Sequence, residues 1–158
     1  MTMKRAELVF VIEASGSMYP FIKDIKKCYY SILNKYEQEY DECYISVITF
    51  NNEVKRIVNH INIKEVPFLQ YYPDGGKALL DAVGIAIRQT VDEIELSKEK
   101  PDNASIIIIS NGIDDSSKYY TAKDIENLIL LYRKKYSLHF IFTATNTFFT
   151  QSKGVILI

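Results

Sequence analysis

The sequence Gly75-Gly76-Lys77 places a lysine behind two glycines, as a phosphate-wrapping loop does. The rest of that pattern is absent. Its leading glycine position is Tyr71, and Ala78 stands where a Ser or Thr would be needed. Ser15 lies between Ala14 and Gly16, but a nucleophile turn of the form Gly-x-Ser-x-Gly needs glycine at positions 13 and 17. A hydrolase also needs a base, and the chain has two histidines, His60 and His139. His60 follows a short edge-strand pattern and His139 lies inside a strand pattern, so both read as structural. Asp74, Asp114 and Asp115 read as solvated loop carboxylates, with Asp114 or Asp115 available for local capping. A weak Ca²⁺ site on these acids is the sharper alternative. No residue is assigned a catalytic role, and the chain is expected not to be an enzyme.

These residues sit between alternating strand and helix patterns. Leu8 to Ile12, Tyr44 to Phe50 and Ala104 to Ser110 are short apolar runs suited to strands. The four consecutive isoleucines of the last run have no polar face, as a parallel strand covered on both sides requires. Val54 to Val58 follows the Asn51-Asn52 turn signal as the second arm of a hairpin, with Lys55 and Arg56 marking an exposed edge. Helical spacing runs from Pro20 to Tyr40, again from Leu79 to Ile94, and again after Thr121, a good N-cap. Gly84 inside the second helix predicts close packing on the sheet. Leu138 to Thr143 reads as a further strand and Val155 to Ile158 as the start of a last one. Crossovers of this kind give an α/β, doubly wound, mostly parallel sheet with helices on both faces. Ligands of such folds bind beyond the carboxyl ends of the strands. The loops after Ile12, Ser110 and Thr143, and the loop before Ala78, are therefore the expected site.

Three segments in those loops resemble the von Willebrand factor type A domain family. Glu13-Ala14-Ser15-Gly16-Ser17-Met18 is similar to its Asp-x-Ser-Gly-Ser-Met loop, and Gly75-Gly76-Lys77-Ala78-Leu79-Leu80-Asp81-Ala82 to its Gly-x-Thr-Ala-Leu-x-Asp-Ala loop. Ser110-Asn111-Gly112 is similar to its Ser/Thr-Asp-Gly loop. The resemblance spans essentially the whole chain, 1–158, as a single domain of the small bacterial cytoplasmic kind. It implies one antiparallel edge strand and a metal-ion-dependent adhesion site at the loops. The family usually continues through a last strand and helix, whereas this sequence stops at Gly154-Val155-Ile156-Leu157-Ile158. The final helix is expected to be lacking, and the apolar end to permit self-association through the C-terminal strand.

The resemblance also shows which ligands are replaced. Ser15 and Ser17 remain, but the first-loop Asp is Glu13, the second-loop Thr is Lys77 and the third-loop Asp is Asn111. Mg²⁺ takes oxygen ligands at about 2.0–2.1 Å in a near-octahedral shell. Glu13 adds a methylene, Asn111 removes a charge, and Lys77 brings a cation without an acceptor. An intact site offers two carboxylates, whereas Glu13 and Lys77 here sum to zero. Two like unit charges 4 Å apart repel by roughly 4 kcal/mol at an effective dielectric of 20, and a dication roughly doubles that. The site is expected to be degenerate and to hold no metal, with Lys77 replacing the ion by pairing with Glu13; the alternative is that Lys77 points into water and backbone bonds hold the loops. No cofactor is expected, unless the degenerate site still takes Mg²⁺ or Mn²⁺.

Net charge is −1 and the sequence pI about 6.1, which does not support attraction to nucleic acid or an anionic membrane. Two cysteines, Cys28 and Cys43, are too few for a disulfide scaffold, and no segment has the length of a signal core or membrane span. A cytoplasmic location is the default. The chain has 12 Tyr and 8 Phe. Tyr19, Tyr71, Tyr72, Tyr119, Tyr120, Phe148 and Phe149 fall in the rim loops, where aromatics make protein-binding surface, although about half are expected to pack beneath the loops. The function expected is a non-enzymatic interaction module with another protein as partner. A metal-dependent adhesion module with unusual ligands, and an α/β nucleotide binder or hydrolase, are the alternatives.

Overall fold

The computed structural model describes residues 3–143 and the backbone of 155–157. Strands β1 (Arg5–Glu13), β2 (Glu42–Phe50), β3 (Val54–Asn62), β4 (Asn103–Ile109), β5 (Leu138–Thr143) and β6 (Val155–Leu157) form one sheet in the order β3-β2-β1-β4-β5-β6. Helix α1 (Ile22–Glu39) connects β1 to β2, α2 (Leu79–Leu96) connects β3 to β4, and α3 (Ala122–Lys135) connects β4 to β5. The pairs β1–β2, β1–β4 and β4–β5 are parallel, while β2–β3 is the antiparallel hairpin read from Asn51-Asn52. β6 adds a second antiparallel pair at the other edge. Positions 144–154 are fewer than the dozen or more residues that a parallel crossover takes. Among the described residues no helix is long and apolar enough to cross a membrane.

Side-chain alternation along the strands divides the core into two layers. Leu8, Phe10 and Ile12 of β1, with Ile107 and Ile109 of β4, pack on Ile25 and Tyr29 of α1. Val9 and Val11, with Ile106 and Ile108, pack on Ala82, Ala86 and Ile87 of α2 and Ile125 and Ile129 of α3. This is why β4 needs isoleucine at four successive positions: odd and even residues face different helices, and each buried side chain contributes about 1.5–3 kcal/mol. Cys43 is buried and Cys28 half-buried, and both are free thiols. Burial pushes them up to about 12 and about 11, so neither is a thiolate at neutral pH.

Gly84 serves a different neighbour from the one expected. A Cβ at this position would lie 2.7 Å from three ring atoms of Tyr120, so the glycine makes room for an aromatic ring arriving from the loop after β4, not for the sheet. With α1 on one face and α2 and α3 on the other, the chain leaves β1 and β4 in opposite directions. The crevice at their carboxyl ends is the switch point where an open α/β sheet places its site.

Candidate functional site

Glu13 is the last residue of β1, and its side chain is fully buried. Ser15 Oγ donates to Oε2 at 2.5 Å, and Ser110 Oγ donates to Oε1 at 2.7 Å. The Asn111 backbone N–H reaches the same Oε1 at 3.2 Å. Ser15 and Ser17 hydroxyls lie 2.9 Å apart; because Ser15 gives its proton to Glu13, Ser17 donates to Ser15. Asn111 Nδ2 donates to Ser17 Oγ at 3.4 Å, while its Oδ1 accepts from Ile113 N–H. The chain thus brings four of the five expected site residues, Glu13, Ser15, Ser17 and Asn111, into one network, with Ser110 as an added member. Ser110 belongs to the third motif, and its position next to Asn111 at the end of a central strand was the available signal.

Lys77 is the fifth, and its place differs from the expectation. Among the described residues no ion pair joins Lys77 to Glu13. Its backbone carries the contacts instead. Lys77 N–H donates to Asp115 Oδ1 at 2.7 Å, and the N–H groups of Asp115 and Ser116 both return to its carbonyl. The Asp115 carboxyl is held below its ordinary value by the Ser116 hydroxyl, the Lys77 N–H and then the Lys77 charge. The contacts of Lys77 with the third loop thus run through its backbone, and the Glu13 carboxylate is already occupied by hydroxyl and amide donors.

Tyr71 was expected at the rim and lies beneath it. Its ring is buried, and its hydroxyl donates to the Glu13 backbone carbonyl. Burial, then the Glu13 charge, pushes the phenol well above its ordinary value, so it remains a donor. Tyr71→Phe is expected to cost about 1–2 kcal/mol in urea unfolding, the magnitude of a lost buried hydrogen bond; a surface aromatic would leave stability unchanged. Tyr120 is half-buried against Gly84. Tyr19, Tyr72 and Tyr119 are exposed, at 70%, 77% and 78% of their surface. Phe148 and Phe149 lie outside the described residues.

Backbone bonds lock the loops together. Gly16 N–H donates to the Gly75 carbonyl at 3.0 Å, Asp74 N–H to Ala14 at 2.9 Å and Ala78 N–H to Asn51 at 2.7 Å. Gly75 is required twice over: its φ is +77°, and a Cβ would lie 2.4 Å from Asn52 Oδ1. The start of α2 has no side-chain cap of its own. Asp114 Oδ1 takes the Leu80 N–H at 3.0 Å, and Ser117 Oγ takes the Asp81 N–H at 2.9 Å. Capping by Asp114 thus occurs, but across 34 residues and not locally. In return the buried Asp81 accepts the N–H groups of Lys118, Tyr119 and Tyr120 at 2.8–2.9 Å. Asp81 was not expected to have a role, because its partners lie in a loop nearly forty positions away.

Comparison of the sequence with family models and with curated proteins returns no match. Solved structures do resemble the fold. Manganese-loaded TRAP protein from Plasmodium vivax superposes over 89% of this chain and 57% of its own, with 13% identity and a TM-score of 0.61. A von Willebrand factor type A protein from Catenulispora acidiphila gives 91% and 33%, with 17% identity and 0.55. The vWF domain of the type V pili tip protein Mfa5 from Porphyromonas gingivalis gives 78% and 44%, with 16% identity and 0.52. The chain spans less than two thirds of each. Together with the sheet order and the site at its switch point, these likenesses give the molecule the fold of a von Willebrand factor type A domain.

Proposed function

We propose that this domain is a non-enzymatic protein-interaction module whose adhesion-site loops are held together without a metal ion. The observation that carries this reading is the state of Glu13: a fully buried carboxylate whose two oxygens already accept from Ser15, Ser110 and Asn111. The residues present do not fit a Mg²⁺ shell. Asn111 turns its NH₂ donor, not its carbonyl, toward Ser17, and Lys77 offers a cation where a hydroxyl ligand would stand. Binding then rests on the exposed rim, where Tyr19 of the first loop, Tyr72 of the second and Tyr119 of the third offer apolar area with few rotors to freeze. Structural neighbours that include a pilus tip protein's vWF domain favour a protein as the partner.

The test is thermal denaturation with Mg²⁺, Mn²⁺, Ca²⁺ and nucleotides, on the native chain and on a Glu13→Asp/Lys77→Thr/Asn111→Asp variant. The native chain is expected to show no shift with Mg²⁺, Ca²⁺ or nucleotides and no Mn²⁺ shift arising at the rim loops, and the variant to gain stability with Mg²⁺ or Mn²⁺. At a hundredfold excess over Kd, the gain corresponds to about 2.7 kcal/mol. An equal Mg²⁺ response from the native chain would sink the metal-free reading, and a nucleotide response would favour the enzyme class.

A further inference from the structure

At the end of the sheet opposite the rim, polar side chains from three strands meet the C-terminal half of α2. The Glu7 side chain on β1 is 7% exposed, and its Oε1 lies 2.8 Å from His60 Nε2. Glu93 of α2 faces the same space, and one ligand atom from each of Glu7, His60 and Glu93 lies within 4.8 Å of the other two. Arg56 Nη2 bonds Glu93 Oε1 and, at 2.8 Å, Ser46 Oγ. That leaves Glu93 Oε2 buried without a hydrogen-bond partner.

The backbone delivers His60 to this place. β3 shifts register twice against β2, between Ile45 and Val47 and between Val47 and Ile48. His60 itself, inside the strand and not after it, takes φ +50° with its N–H on Ser46 Oγ. Bulges of this sort re-aim a side chain. The Tyr44 ring stacks on the imidazole at 4.7 Å and fixes its plane.

We propose that Glu7, His60 and Glu93 form a binding site for a divalent transition-metal ion, for which Zn²⁺ is the matching probe. One imidazole nitrogen with two carboxylates suits Zn²⁺, whereas Mg²⁺ and Ca²⁺ take all-oxygen shells. Tetrahedral ligands at 2.0–2.2 Å from an ion stand roughly 3.4 Å apart. The Glu7–His60 contact therefore opens by about half an ångström, and Glu93 closes from within its present reach. Once the imidazole gives up its proton to bind, the two carboxylates and Arg56 sum to −1, and the ion supplies positive charge to the oxygen that Arg56 leaves unbonded. Glu7, His60, Tyr44 and Arg5 line a cavity of about 380 Å³ that reaches solvent, giving an ion an entry path to two of the three ligands.

Calorimetric titration of the full chain with Zn²⁺ is the test, with Co²⁺ absorption as a second readout of ligand geometry. The native chain is expected to bind about one Zn²⁺ with a Kd of 1 μM or tighter, roughly 8 kcal/mol. His60→Asn, chosen because Asn tolerates a positive φ, and Glu93→Gln are each expected to weaken binding at least about tenfold and to abolish the Co²⁺ bands. No Zn²⁺ binding by the native chain, or equal binding by both variants, overturns the proposal. A Mn²⁺ response that survives His60→Asn belongs to the rim loops, so the failure of this proposal and that of the metal-free rim are separately visible.

Discussion

Asp81→Ala is expected to destabilise the domain by about 3–4 kcal/mol, close to 10 °C in Tm for a chain of this size. Asp81 is 4% exposed and receives three N–H groups from Lys118, Tyr119 and Tyr120. Hydrogen bonds to a carboxylate are worth about 1.5–3 kcal/mol each, and water recovers part of that for a half-exposed loop. The same carboxylate ties the loop after β4 to the first turn of α2, so its loss also loosens the capping of Leu80 by Asp114. Asp81→Asn keeps one acceptor oxygen and is expected to lose about half as much. Urea unfolding of the two variants measures this, and a cost below about 1 kcal/mol for the alanine would show that the three bonds are replaced by water. Exposed Tyr119 moves with this loop, so partner binding at the rim is expected to weaken as well.

Glu13→Ala is the second large effect, expected at about 3 kcal/mol. It opens a cavity at the end of a central strand and leaves the Asn111 N–H and two serine hydroxyls facing it. Glu13→Gln separates shape from charge. The amide oxygen still accepts from Ser110 and Asn111, and the Ser15 hydroxyl can turn to accept from the new NH₂. A buried carboxylate with no cation beside it also carries a desolvation cost that glutamine removes. Glu13→Gln is therefore expected to stay within about 1 kcal/mol of the native chain. If denaturation finds it as damaging as Glu13→Ala, the negative charge itself is needed, and a cation rests on Glu13 after all.

The contrast between these two residues shows where the sequence was legible. Glu13 stood out because it ends an apolar strand at the place a ligand is expected, and because its neighbours Ser15 and Ser17 are two and four positions away. Asp81 did not stand out, although it lies inside a segment that was singled out, since nothing local distinguishes a buried acceptor from a solvated helix carboxylate. Tyr71 was placed among surface aromatics for the same reason: its hydroxyl finds the Glu13 carbonyl across 58 residues. The expected ion pair of Lys77 with Glu13 is not among those of the described residues. Here the backbone of Lys77 is clasped by Asp115 and Ser116.

Periodicity, turn residues and three short motifs in order were sufficient for the strand and helix sequence, the parallel sheet and the gathering of Glu13, Ser15, Ser17 and Asn111 at one end of it. Those features follow from interactions within a few residues, or from the requirement that each apolar face be covered. The residue types at Glu13, Lys77 and Asn111 are likewise read directly from the chain. Which donors satisfy Glu13, which loop clasps the Lys77 backbone and which ring fills the space over Gly84 were decided by tertiary structure. The cluster of Glu7, His60 and Glu93 belongs with these, since two register shifts in β3 and one positive φ turn His60 toward a glutamate 53 positions away. Contacts of that kind depend on how whole elements are set against one another, and no local spacing in the chain encodes them.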